Sequence, residues 1–132
     1  VWESEESDNI SMIKFNYIID TEQKNLIYEA MNDYHKYTCV KFKPYTGEEN
    51  DYIRITAGNS GCWSSVGRVG GRQDVNLQVP GCLVKKGTVI HELMHAVGFL
   101  HEQSRFERDE YVTIQYYNIL NSKWPVVGKE KL

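Results

Sequence analysis

The sequence contains no hydrophobic run approaching the roughly twenty residues needed to cross a bilayer, which excludes a membrane-spanning helix. It also lacks a block of like charge. Lys and Arg are scattered and the formal net charge is −3, so there is no basic field to hold nucleic acid, and no nucleic-acid partner is expected. Cysteine is scarce, at three residues, which excludes a disulfide-dense scaffold. The odd count also means that at most one pair closes within the chain, leaving one thiol over or paired elsewhere. Internal repeats, low-complexity tracts and linker-like stretches are all missing, which argues against a repeat array or a string of domains. The start at Val1, with neither an initiator Met nor a hydrophobic leader, is that expected of a processed or excised piece.

What is present is ordinary globular composition: 132 residues, 41% hydrophobic and 25% charged, enough for one domain that hides roughly 65–70% of its unfolded surface. Residues Val1 to Asn9 are polar and acidic and read as a mobile N-terminus. Asn9-Ile10-Ser11 matches a glycosylation acceptor. The aromatic and β-branched run from Lys14 to Ile19 predicts a first strand. Asp20 with Gln23 has the form of a capping box, and Ile27, Ala30, Met31 and Tyr34 recur at helical spacing, which predicts an amphipathic helix to about Tyr37. Four further strand candidates follow: VKFKPY after Cys39, YIRITA from Tyr52, WSSVG from Trp63 and DVNLQV from Asp74. The segment from Thr88 to Leu100 is apolar around most of its circumference and predicts a buried helix, with Thr88 placed to cap it. Strands and two helices should form one mixed layer structure, so the fold class is α+β.

That second helix carries chemistry. In HELMHAVGFLH, His91 and His95 lie four residues apart, so on a helix both imidazoles reach one metal ion. A catalytic zinc takes three protein ligands and keeps one position open. Gly98 tolerates the left-handed conformation that ends helices and lets His101 return as the third ligand. Glu92, beside the first ligand, is placed to take a proton from the attacking water and hand it to a leaving amine. Read as structural groups only, these polar residues would interrupt a segment otherwise apolar enough to be buried, at an energetic cost. His35, beside Lys36, reads as a surface or locally hydrogen-bonded histidine and stands outside the site.

The stretch HELMHAVGFLHEQSR followed by ERDEYVTI resembles the astacin family of metzincin zinc endopeptidases, as do TCVKF around Cys39, GCWSSVGRVGGRQ from Gly61 to Gln73, and PGC ending at Cys82. The resemblance implies the N-terminal, zinc-binding part of a catalytic domain with a twisted five-stranded mixed sheet. It implies one zinc ion, protein or peptide substrates, and a secreted, monomeric enzyme made with a propeptide. It further implies a disulfide between Cys62 and Cys82, with Cys39 matching a cysteine whose partner lies near the domain's C-terminus. It places Trp63 and Ser65 on a strand edge that pairs with an extended substrate, and Glu102 beside the N-terminus that activation exposes. The sequence departs from the family pattern in having Phe106 and Glu107 before Arg108-Asp109. It also stops at Leu132, ahead of the expected Met-containing turn and assisting tyrosine, for which Tyr111, Tyr116 and Tyr117 lie too early. A zinc-binding or protein-binding fragment without complete catalysis is the alternative.

Overall fold

The computed structural model describes residues 9–16, 19–123 and 128. These fall into two compact units, residues 1–99 and 100–132.

The first unit contains a five-stranded sheet and two helices. Strands β1 (Asn9–Phe15), β2 (Val40–Pro44), β3 (Tyr52–Thr56), β4 (Cys62–Ser64) and β5 (Arg72–Leu77) lie in the order β2-β1-β3-β5-β4. Pairings of β1 with β2, β1 with β3, and β3 with β5 are parallel; β4 runs antiparallel to β5 and forms one edge. The sheet is mixed, as the resemblance implied.

Helix α1 (Thr21–Tyr37) begins with the expected capping box: Asp20 accepts from the Gln23 amide at 2.8 Å, and the Gln23 side chain accepts from the Asp20 amide at 3.2 Å. Its buried residues are Ile27, Ala30, Met31 and Tyr34, the helical stripe read from the sequence. They pack with Ile53, Ile55, Val75 and Leu77 of the sheet and with Val89, Leu93 and Ala96 of helix α2 (Lys86–Ala96) in one core. Burial on this scale contributes about 1.5–3 kcal/mol per large aliphatic side chain. Tyr34 adds a directional link, its hydroxyl donating to the Ile90 carbonyl of α2 at 2.8 Å. Burial pushes that phenol up to about 12, so it stays a donor throughout the neutral range.

Several boundaries differ from the sequence expectation, each for a tertiary reason. The first strand runs Asn9–Phe15 rather than from Lys14 to Ile19. Tyr17 and Ile18 lie outside the described residues, as do Val1 to Asp8, and Ile19 is a buried bend residue. The strand expected from Trp63 to Gly67 stops at Ser64, because Gly67 takes a left-handed φ of 70° and turns its amide to α2 instead of a strand. Helix α2 starts at Lys86, ahead of Thr88, with Lys85 as N-cap and no side-chain cap. Lys86 pairs with Asp33 of α1 at 2.7 Å, which holds the first turn where no capping side chain does.

Inside the sheet, Asn76 is almost fully buried and uses its whole amide. Its Oδ1 accepts from the Thr56 hydroxyl (2.8 Å) and the Gly58 amide (2.8 Å), while Nδ2 donates to the carbonyls of Gly58 (2.9 Å) and Gly61 (2.7 Å). The turn leading into β4 is thus held from β5. A disulfide between Cys62 and Cys82 ties the same edge strand to the segment before α2.

The second unit is built from short 3-10 turns around Arg108. This buried guanidinium donates to the Gln103 carbonyl (2.6 Å) and the Tyr116 hydroxyl (3.1 Å), and pairs with Asp109 (3.2 Å). Tyr111 and Tyr117 are exposed.

Candidate metal centre

Helix α2 buries Val89, Leu93 and Ala96 against the core, a spacing that leaves His91 and His95 on its outer side. Four residues apart, the two rings stand nearly perpendicular, at 84°, with Nε2 atoms 3.1 Å from each other. Two nitrogens each about 2.0–2.1 Å from a tetrahedral zinc would stand about 3.3 Å apart, so the pair is already spaced as ligands of a single ion. The protonation pattern also fits. His95 Nδ1 lies 2.8 Å from the Phe99 carbonyl, which can only accept, so Nδ1 carries the hydrogen and Nε2 keeps its lone pair for a metal.

The Phe99 carbonyl is there because of how the helix ends. Gly98, at φ 116°, donates to the His95 carbonyl (2.9 Å), and Phe99 donates to the Met94 carbonyl (3.1 Å). This is a Schellman closure with glycine at the left-handed position, and it turns the chain back over the last helical turn. His101 follows three residues later, at the head of the second unit, exposed and with its carbonyl accepting from the Ser104 amide at 2.9 Å.

Glu92 is the unusual side chain of the helix. It is only 6% exposed, and among the described residues its carboxylate has no hydrogen-bond or ion-pair partner. A buried acid left without partners is costly in a purely structural role.

Trp63 and Ser65 come from the other sequence signal. Trp63 is 41% exposed on β4, its indole nitrogen donating to the Ser60 hydroxyl at 2.8 Å, and Ser65 is half-buried just past the strand's end. Beyond them, in the loop after the strand, Gly67 donates its amide to the His95 carbonyl at 2.9 Å, which ties that loop to the histidine helix. Gln73 makes a link that sequence reasoning missed. It is buried, with Nε2 donating to the Gly67 carbonyl (2.9 Å) and Oε1 accepting from the Val69 amide (3.2 Å). Its place at the end of GCWSSVGRVGGRQ is a signal of resemblance only, since the partners that give it meaning are set by the fold. His35 stands apart, its Nε2 accepting from the Phe42 amide at 2.8 Å, in keeping with a locally bonded histidine. Burial, with the nearby Lys41 ammonium, holds its pKa below the usual histidine value.

Two histidines four apart on a helix, with a buried glutamate between them, have the His-Glu-x-x-His pattern of the zinc metalloprotease class. Comparison with known proteins narrows this. The family model for Astacin (Peptidase family M12A) matches residues 2–131. The chain belongs to the astacin family. It is 52% identical over 96 residues to zinc metalloproteinase nas-13 of Caenorhabditis elegans, covering 73% of this chain and 21% of that protein. It is also 45% identical over 106 residues to meprin A subunit beta of Rattus norvegicus, covering 80% of this chain and 14% of that protein. Among solved structures, high choriolytic enzyme 1, a hatching enzyme zinc-protease from Oryzias latipes, superposes with a TM-score of 0.88 at 31% identity, covering 98% of this chain and 64% of that one. The chain thus spans between about a fifth and three-tenths of the length of the first curated relatives it matches.

Proposed function

We propose that this chain is the zinc-binding part of a secreted endopeptidase, in which His91, His95 and His101 hold one zinc ion and Glu92 acts as general base and then general acid. The observation that carries the reading is the pair of Nε2 atoms 3.1 Å apart, with His95 fixed by Phe99 in the tautomer a metal needs. His101 completes the set by reach: the helix ends at Ala96, and the left-handed Gly98 reverses the chain within the residues that remain. A zinc ion held there supplies Lewis acidity, lowering the pKa of a water in its open position and polarising a carbonyl oxygen.

The chain's own residues do the rest. Glu92 removes a proton from the attacking water as its oxygen adds to the peptide carbonyl carbon, then delivers that proton to the nitrogen as the C–N bond breaks. Strand β4, whose outer edge bonds no strand among the described residues, offers backbone groups to an extended peptide. Trp63 and Ser65 flank that edge. Secretion is supported by the Cys62–Cys82 disulfide, which persists in oxidising compartments.

The test is cleavage of an unstructured protein substrate by this 132-residue chain, after stripping with a chelator and after restoring zinc. Activity lost on stripping and regained with zinc is expected. Zinc uptake in the absence of any cleavage would instead favour a zinc-binding fragment whose catalysis needs more of the longer protein.

A further inference from the structure

The loop that follows the edge strand is tied to the metal-bearing helix through the His95 carbonyl, and what keeps that loop in place is a side chain on neither β4 nor α2. Gly67 donates to this carbonyl at 2.9 Å. The two chains come close enough there that a Cβ built on Gly67 would lie 3.9 Å from the Cα of Gly98. Both glycines have left-handed φ, 70° and 116°, so the approach depends on backbone that other residues adopt poorly.

Gln73, 3% exposed at the start of β5, grips the far side of the same loop, donating to the Gly67 carbonyl and accepting from the Val69 amide. One planar amide therefore fixes two peptide units of the 65–71 segment. A second anchor works at its far end, where Asp51 accepts from the Gly71 amide and pairs with Arg68. Asp51 is half-buried and acts through exposed neighbours, whereas Gln73 is enclosed and bonds directly to the residue that touches His95.

We propose that Gln73 is a positioning residue for substrate: through Gly67 it sets how far the substrate-pairing edge of β4 stands from the histidine that holds the metal. This rests on the reading of β4 as the strand that receives an extended peptide. A misplacement of about 1 Å between a bound peptide and the reacting centre costs on the order of 100-fold in rate, so a side chain that fixes this spacing matters without touching the substrate. The loss of Gln73 leaves His95 its other supports, the Phe99 carbonyl at Nδ1 and the Gly98 amide at its own carbonyl. Metal binding and substrate binding should therefore separate.

The experiment compares the zinc-loaded wild-type chain with Gln73→Met, which keeps the length and removes both hydrogen bonds, and with Gln73→Glu, which keeps an acceptor for Val69 and loses the donor to Gly67. Three quantities are read: zinc affinity by competition with a chelator, hydrogen-exchange protection of the Gly67 amide, and affinity for an extended hexapeptide followed by Trp63 emission, with Trp63→Phe as the control for signal origin. Expected for both variants are zinc affinity within threefold of wild type, Gly67 protection reduced at least tenfold, and peptide affinity reduced about tenfold. Unchanged Gly67 protection or unchanged peptide affinity in a folded variant overturns the role of Gln73 alone. A peptide loss that only parallels a loss of zinc affinity and of helical signal also overturns it, since Gln73 would then merely hold the fold. A wild-type chain that takes up zinc and binds no peptide overturns the substrate strand itself, and with it this proposal.

Discussion

Replacing Glu92 with glutamine should move stability and activity in opposite directions. The carboxylate is 6% exposed and partnerless among the described residues, so the metal-free fold carries an uncompensated polar group. Leaving such a group buried and unsatisfied costs about 1–3 kcal/mol. Glutamine keeps the shape and exchanges the charged group, which costs more to leave unsatisfied, for a neutral amide, relieving on the order of 1 kcal/mol of this cost. For a chain of this length each kcal/mol shifts the melting temperature by roughly 3–5 °C, so Glu92→Gln should melt several degrees higher in chelator. The same change removes the proton acceptor, and general base catalysis is worth about 10²–10⁴-fold. Thermal unfolding followed by circular dichroism in chelator gives the first number, and peptide hydrolysis with zinc restored gives the second. A variant that melts several degrees lower, or that keeps its turnover within tenfold of wild type, would refute the argument, because Glu92 would then be a satisfied structural group.

Two further outcomes follow from geometry away from the metal. Cys62 and Cys82 close a loop with a sequence separation of 20, so replacing both with serine should lower stability by about 3 kcal/mol through the added freedom of the unfolded chain, measured by urea unfolding under non-reducing conditions. His35 should make stability pH-dependent. Burial and Lys41 lower its pKa in the fold, so its contribution is whole above the unfolded value near 6.5 and is lost as pH falls from there toward the folded value. Melting temperatures from pH 8 to pH 5 should decline less steeply for His35→Gln than for wild type, and equal slopes would show that His35 plays no part.

The parts of the fold that could be read directly from the sequence are those whose causes are local. The Asp20–Gln23 capping box and the Ile27, Ala30, Met31, Tyr34 stripe each lie within a few residues of one another, and both occur where the spacing put them. His91 and His95 were legible for the same reason, one turn of one helix being enough to bring them together. The beginning of α2 was not, since Lys86 is held by Asp33 from another helix while Thr88, the apparent cap, falls inside. Nor was the early end of β4, because the group that draws Gly67 out of the strand is the His95 carbonyl, far along the chain. Gln73 and Asn76 are ordinary polar residues in a strand until the fold closes, and only then do their amides acquire partners.

Asn76 has a consequence for how this edge of the protein can vary. A turn usually owes its shape to its own residues, to a glycine or an aspartate at a required position. Here the course of the chain from Gly58 to Gly61 keeps such a glycine, Gly61 at φ 86°, but is also held by an amide that belongs to β5. Part of the instruction for the bend is therefore stored in the sheet, and exposed Asn59 is left free to change, whereas Ser60 accepts from the Trp63 indole. The rim beside Trp63 can thus be altered at Asn59 while the strand behind it keeps the rim in place.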